Sequence, residues 1–488
     1  GLKPGRHLEL LPCASGRTEH LPGQQNTSGG VGLDAKWAPL PSLAWDAAIN
    51  PDFAQIEADP SAINLSKYET CLPEKRPFFI ERADLFNVSR LTNFNIGPSW
   101  QPFYSRRVGK KLPDGHEVPI LFGTRLTGKL GSTAVGAIAA RTRSVAYEDD
   151  GDSFTEPGAT YSIFRVRQDI FSNSTVGLYS VNRTIPGVYD GVAVLDVRIS
   201  SGPLNVAGAG AQSLNSDHVK KGSLGEFNVN WQEQYFQLFA GIKDIGKQFY
   251  IKKIGYQADA GNKTWAAGGG IRPDLSRLGL TSFWLGLFYG QDKQYDNDKP
   301  GRGGTINLEL STVNAWSVWS GADCNHGCVA GIWRKIASFW LGANSDESQK
   351  LSAGFNYSQN DAYNYDRDYF GHTRNLELWS SLSLLPNLSL SLGANRIWQY
   401  IESWGFDRAV STSSERLQYS LNRDVALRLY VQQNTDDHSH SFNGLVSWSF
   451  APGSAAYLAY NETRDNSRGK MEPESRTVVA KVSYLWSL

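Results

Sequence analysis

The residues whose types and spacing could do chemistry lie in a few short runs. Cys324 and Cys328 fall in Ala322-Asp323-Cys324-Asn325-His326-Gly327-Cys328, which reads as a short polar loop. A disulfide between them suits an oxidising compartment. Free thiols and a metal site are the alternatives, the latter with only His326 as a further nearby ligand where zinc usually takes four. Cys13 and Cys71 are the other two cysteines, and sequence alone leaves the connectivity open. Glu148-Asp149-Asp150-Gly151-Asp152 and Asp296-Asn297-Asp298 carry hard oxygens of the kind calcium takes, but neither completes an EF-hand loop, so both read as solvated acidic loops. His438 and His440 read as a surface pair. No recognisable Ser–His–acid motif surrounds any of the eight histidines, so the chain is read as not an enzyme, with no catalytic residues, no cofactor and no metal site.

A larger feature is the stretch from Asn50 to Pro98. It is dense in proline and in charges of both signs: Asp52, Glu57, Asp59, Glu74, Lys75, Arg76, Glu81 and Arg82. Paired carboxylates can do acid–base work, but no nucleophile or metal set accompanies them. Proline cannot donate to a strand ladder, so this stretch does not read as wall strands. Mixed charges of this kind can pair with the polar inner wall of a barrel. The expectation is a plug or constriction in a lumen, with these residues, together with Arg106 and Arg107, as its pairing groups. A linker or small subdomain below a barrel is the alternative.

The elements that must hold such a segment follow from a period of two. Leu388, Leu390, Leu392 and Ala394 alternate with Ser389, Ser391, Gly393 and Asn395, and Val425 to Gln432 and Ser441 to Phe450 repeat the pattern. Successive strand side chains point to opposite faces, so each run has one apolar and one polar face. Short connections at Leu130-Gly131, Ser201-Gly202, Pro386-Asn387, Arg423-Asp424 and Pro452-Gly453 alternate with long polar ones: Tyr147 to Gly158, Gln291 to Gly303, Asn360 to Thr373, Gln399 to Ser414 and Arg464 to Glu474. Tight turns on one rim and long loops on the other mark outer-membrane barrels. The last residues, Thr477 to Leu488, again alternate, as a closing strand would. The fold class is therefore all-β, a transmembrane antiparallel β-barrel. Runs from about Pro119 onward, with Val31 to Trp37, Ser42 to Ile49 and Gln101 to Arg107 added, predict 20–24 strands. The expected division is 1–49, a segment with possible first strands; 50–98, the plug-like segment; and 99–488, the barrel.

Composition agrees. The chain has 488 residues, and a soluble β-sandwich core stops growing well short of that, whereas a barrel grows by adding strands. Trp, Tyr and Phe are plentiful, and amphipathic aromatics favour the membrane–water boundary. Lysine plus arginine and aspartate plus glutamate both total 48, so no basic field exists to hold nucleic acid. No apolar run approaches the length of a membrane helix. The sequence opens at Gly1 without a targeting signal, which reads as a mature or trimmed chain. The glycine run in Ala266-Ala267-Gly268-Gly269-Gly270 lacks the context of a phosphate loop and reads as a bend or a seat for a large neighbour.

The runs Asn50-Pro51-Asp52-Phe53, Glu57-Ala58-Asp59-Pro60, Asn64-Leu65-Ser66 and Pro73-Glu74-Lys75-Arg76-Pro77-Phe78-Phe79 resemble a bacterial outer-membrane barrel family known as domain of unknown function 5916. Phe103-Tyr104-Ser105-Arg106-Arg107-Val108-Gly109, Leu126-Thr127-Gly128-Lys129 and the opening Gly1-Leu2-Lys3-Pro4-Gly5-Arg6 are similar to its neighbouring motifs. The resemblance implies a membrane-inserted barrel, usually preceded by a domain similar to a family-nine carbohydrate-binding module, which is absent here. Cys13 and Cys71 stand where the family usually has aromatics, and the paired change implies a bridge between them. The family's function is not established, so it lends no catalytic residue.

The functional expectation is an outer-membrane plugged conduit or transporter. The alternative is a docking barrel that anchors envelope proteins or glycans through aromatic loops such as Asp361 to Phe370. Outer-membrane lipid is the expected partner and the outer membrane of a Gram-negative bacterium the expected location.

Overall fold

The computed structural model of the chain describes residues 8–50, 64, 67–91, 96–149, 151–216, 222–402, 405–467 and 469–487. Twenty-four strands form one closed antiparallel ring. The first six are β1 Leu8–Leu21, β2 Gln24–Leu40, β3 Leu43–Ile49, β4 Ile120–Leu130, β5 Thr133–Thr142 and β6 Thr160–Ile170. Next come β7 Ser174–Ile185, β8 Val188–Ser201, β9 Leu204–Asn215, β10 Ser223–Gln232, β11 Phe236–Ile245 and β12 Asn262–Ile271. The second half has β13 Leu280–Gln294, β14 Gly301–Thr312, β15 Ser317–Val329, β16 Ile332–Asn344, β17 Leu351–Asn364 and β18 Tyr369–Leu385. It ends with β19 Leu388–Ile401, β20 Gly405–Ser420, β21 Val425–Asn434, β22 Ser439–Ala451, β23 Ser454–Asp465 and β24 Glu472–Ser483. Each strand pairs with its neighbour in sequence, and β24 returns to β1 with Ser483 opposite Cys13 and Thr477 opposite Glu19, leaving no open edge. Trp486–Ser487 extends that last pairing along β1.

The outward parity is apolar and open to its surroundings. Val31, Leu178, Leu195, Leu287 and Leu458 are all more than half exposed on this face, where lipid tails would cover them. The buried apolar core lies instead inside the ring. Phe79, Leu85, Phe86, Trp100 and Val108, from the chain between β3 and β4, pack on inward residues such as Ile138, Ile163, Val181 and Val194.

Two features depart from the sequence reading. Gln101 to Arg107 is not a wall strand: Trp100–Gln101 pairs only with Tyr256–Gln257, and Ser105–Arg107 is a 3-10 turn. β1, by contrast, is a wall strand despite Pro12, whose missing donor interrupts the pattern. The chain between β3 and β4 therefore runs from Asn50 to Pro119, past the expected boundary at 98, and the ring begins at β1 rather than after it.

The connections sort as expected by rim but not by length. The five short ones share the rim where β1 begins and β24 ends. The long polar ones share the other rim, yet much of each is strand: only Tyr365 to Asp368 separates β17 from β18. Polar alternation continues past the apolar band, so length of polar sequence overstates length of loop. Three connections on that rim are long: 50–119, 143–159 and 246–261.

Candidate functional site

The described residues of the connection 50–119 fold into the ring and lie against the inner face of β2 to β12. The wall beneath it is made small. A side chain at Gly136 of β5 would meet Leu85 and Phe86 at 2.8 Å, one at Gly123 of β4 would meet Phe78 at 3.1 Å, and one at Gly241 of β11 would meet Ile96 at 2.3 Å. Helix α1, Pro77–Ile80, opens with proline at its first turn, where the missing donor costs nothing. Arg82 then takes a left-handed φ of 54°, turning the chain into the 3-10 turn that places Leu85 and Phe86 against the wall.

Three buried charged clusters on the wall hold this segment. Arg125 of β4 binds Asp46 of β3 at 2.8 and 3.0 Å and donates to the carbonyls of Phe78 and Glu81. Arg165 of β6 binds Asp196 of β8 at 2.5 and 2.9 Å. Arg165 also donates to the Leu85 carbonyl, and Asp196 accepts the Ser89 amide at 2.8 Å. Glu226 of β10 accepts from Arg90 at 2.8 Å and from the Trp100 indole at 3.0 Å, with the Lys243 ammonium of β11 3.4 Å away. Removing either partner of such a pair leaves an uncompensated buried charge, so the pairs fix position more than they add stability.

Of the residues singled out in sequence, Asp52, Glu57 and Asp59 lie outside the described residues. Glu81 meets the wall, binding Lys36 of β2 and Arg125. Arg82 donates to the Thr127 carbonyl of β4 at 3.2 Å. Glu74 and Arg76 bind each other, and Arg76 also donates to the carbonyls of Val108 and Ser105, so they fold the segment on itself. Burial works to raise the Glu74 carboxyl, but the hydrogen bonds and charge of Arg76 outweigh it and hold the group below the usual range. Lys75 donates its backbone amide to Glu74. Arg106 donates to the Pro73 carbonyl, while Arg107 binds Glu69 and the Gly255 carbonyl. Gly255 belongs to the connection 246–261, which also folds inward. Its Asp259 accepts from Lys67 at 2.9 Å, and its Lys253 reaches Asp190 of β8 at 3.7 Å.

Sequence reasoning missed Asp46, Arg125, Arg165, Asp196, Glu226 and Lys243. Their signal was parity: each is a charge at an inward position of its strand, opposite a small or polar inward partner.

Both expected disulfides need correction, because all four thiols are free. The run Ala322 to Cys328 is not a loop but part of β15, paired with β16 throughout and with β14 as far as His326. Residues four apart on an extended strand are separated by about 13 Å, and a disulfide needs Cα atoms within about 7 Å. Cys13 sits in the wall of β1 against Gly32, whereas Cys71 lies beside Tyr104 and Arg107 in the inner segment. The aromatic run Asp361 to Phe370 packs on itself, Tyr363 lying 5.0 Å from Tyr365 and 4.9 Å from Phe370, between centroids. Among the described residues no three His, Cys, Asp or Glu converge on a metal-sized site.

A family profile described as Domain of unknown function (DUF5916) matches residues 4–271. The chain belongs to this family. The match ends at the last residue of β12, so it spans the part of the DUF5916 wall that carries the inner segment, together with that segment. No curated protein matches the chain. Solved structures that it resembles include the siderophore receptor PirA from Pseudomonas aeruginosa, at 8% identity and a TM-score of 0.47, with 99% of this chain and 81% of that one covered. The copper transporter OprC has 10% identity and a TM-score of 0.47, with 99% and 81% covered. The FrpB iron transporter from Neisseria meningitidis has 9% identity and a TM-score of 0.45, with 100% and 82% covered.

Proposed function

We propose that this DUF5916 protein is an outer-membrane conduit narrowed by its own chain, with connections 50–119 and 246–261 as the constriction. What supports this most is the inner face of the ring: from β2 to β12 it is built to seat a segment, with glycines under the aromatics and buried charge pairs aimed at the segment's backbone. A ring of about 22 strands or more encloses a lumen that would leak solutes if left open. The segment is joined to the wall at both ends, through β3 and β4, and enters from the long-connection rim. On the outer-membrane pattern that rim is extracellular and the short-turn rim periplasmic. The acyl chains of the outer membrane are then the partner of the outward face.

Planar-bilayer recording tests the proposal. The native chain is expected to give small or rare conductance steps, and a variant with 67–108 replaced by a flexible linker is expected to give large ones. Negligible conductance in both, with the ring shown to be folded, would sink the conduit.

A further inference from the structure

The inner face from β13 to β19 has a different surface. Thr264 of β12 meets Gly97 of the inner segment and so points inward. Partners across an antiparallel pair share a face, and register carries that parity round the ring: Thr264 to Asp292, Gly286 to Asn307, Asn307 to Gly321, and Gly321 to Trp340. By the same rule Trp284, Phe288, Trp319 and Trp379 point inward.

Each of the four indoles lies across glycine. A side chain on Gly321 would meet Trp340 at 2.2 Å, on Gly342 Trp319 at 2.3 Å, on Gly354 Trp379 at 2.3 Å, and on Gly270 Trp284 at 2.4 Å. A ring laid on bare backbone is held flat against the wall and turns its other face to the lumen. Trp319 and Trp379 lie nearly parallel, at 16°, with centroids 6.3 Å apart.

Between the rings stand carboxamides. Asn356 accepts from the Trp319 indole at 3.3 Å. The side-chain oxygens of Asn307, Asn375 and Asn395 are themselves buried and have no partner among the described residues, although each residue is part-exposed. An unmet polar group of this kind is destabilising, and a carboxamide that turns toward the lumen can recover the bond on a ligand hydroxyl. Inward charges on these strands are Asp292, Glu309, Asp323 and Glu377, against one base, Arg334, which pairs with Glu402 at the rim.

We propose that β13 to β19 form a binding track for neutral oligosaccharides within the conduit. The sugar ring's C–H face suits a flat indole. Its hydroxyls are at once donors and acceptors, which carboxamides match and carboxylates complete as acceptors. Four inward acids disfavour an anionic cargo. A polycation would use the acids and rings but would leave the amide donors idle.

The proposal rests on the conduit reading for its role in transport, but binding can be measured apart from it. Purified protein in detergent is titrated with maltohexaose, cellohexaose, xylohexaose and chitohexaose, and with spermine and an oligogalacturonate as charged comparators, reading tryptophan fluorescence and calorimetry. At least one neutral hexasaccharide is expected to bind, more tightly than its trimer. Trp379→Leu is expected to weaken it about five-fold or more, or about 1 kcal/mol, as the loss of one stacked ring would. Trp448→Leu, on the outward face, is expected to leave it unchanged. Heat-modifiable migration on gels checks that each ring is folded; if Trp379→Leu fails this check, Trp340→Leu takes its place. No binding by any neutral oligomer, binding of spermine or galacturonate alone, or equal loss in both tryptophan variants would overturn the track. Binding without bilayer conductance sinks the conduit and leaves the track standing; conductance without binding does the reverse.

Discussion

Arg165 of β6 reaches Asp196 of β8 across the intervening strand, and it can do so because the residue between them on β7 is Gly177. A side chain there would meet the Arg165 guanidinium at 2.4 Å and the Asp196 carboxylate at 2.7 Å. Both partners are fully buried, and both also bind the segment's backbone. Asp196→Ala is therefore expected to cost about 3–5 kcal/mol, the usual penalty for orphaning a buried charge. Gly177→Val should have a similar effect by forcing the pair apart, and Arg165→Met with Asp196→Leu should cost less than Asp196→Ala alone. Urea unfolding in lipid vesicles measures all three. A change under about 0.5 kcal/mol for Asp196→Ala, typical of a surface site, would contradict the assignment.

Acid should loosen the segment. Arg76 holds the Glu74 carboxyl below its ordinary value, so the folded state binds that proton less well than the unfolded one. Stability from the pair is then fully present above the unfolded value of about 4.3 and is lost as pH falls through the lower folded value. Protease cleavage within the segment, followed from pH 7 to pH 3 with an acid-tolerant enzyme, should rise at the acid end. Glu74→Gln should be cut more readily at neutral pH and show a flatter profile; an unchanged profile would remove Glu74 from the account.

Room for Leu85 and Phe86 depends on Gly136 having no side chain. Gly136→Leu extends past a point where even a Cβ would lie 2.8 Å from Leu85 and Phe86, and should displace the segment at a cost of about 1–3 kcal/mol, while the outward face stays intact. Larger conductance steps with normal heat-modifiable migration are the expected result. Native-like conductance would show that the segment seats elsewhere.

Cys324 and Cys328 should remain reducible-bond-free. After mild oxidation, unfolding in the presence of a maleimide should add four labels to the chain, one for each thiol. Two labels would mean that β15 is a loop after all or that Cys13 and Cys71 approach each other.

The orientation of the ring is also open to direct measurement. In a cysteine-free background, a thiol placed at Asp437 should react with an impermeant maleimide in intact cells, and one placed at Asn387 should not. The reverse pattern would turn the constriction toward the periplasm.

Local pattern was enough to determine the wall. Alternation such as that of Leu388 to Asn395 depends on nothing but the two-residue period of a strand, and glycine, proline and polar residues at Pro386-Asn387 or Pro452-Gly453 mark where it turns. A segment as charged and as rich in proline as Glu74 to Arg82 could be recognised as foreign to that wall. The closure of the ring, the inclusion of β1, and the partners of the segment were decided by tertiary structure, because each is a contact between residues far apart in sequence. Arg165, Asp196 and Glu226 look like any polar residue at an inward position until Leu85, Ser89 and Trp100 are laid over them. Cys324 and Cys328 make the same point in reverse: their separation depends on whether seven polar residues curl or extend, and pairing with β14 and β16 extended them.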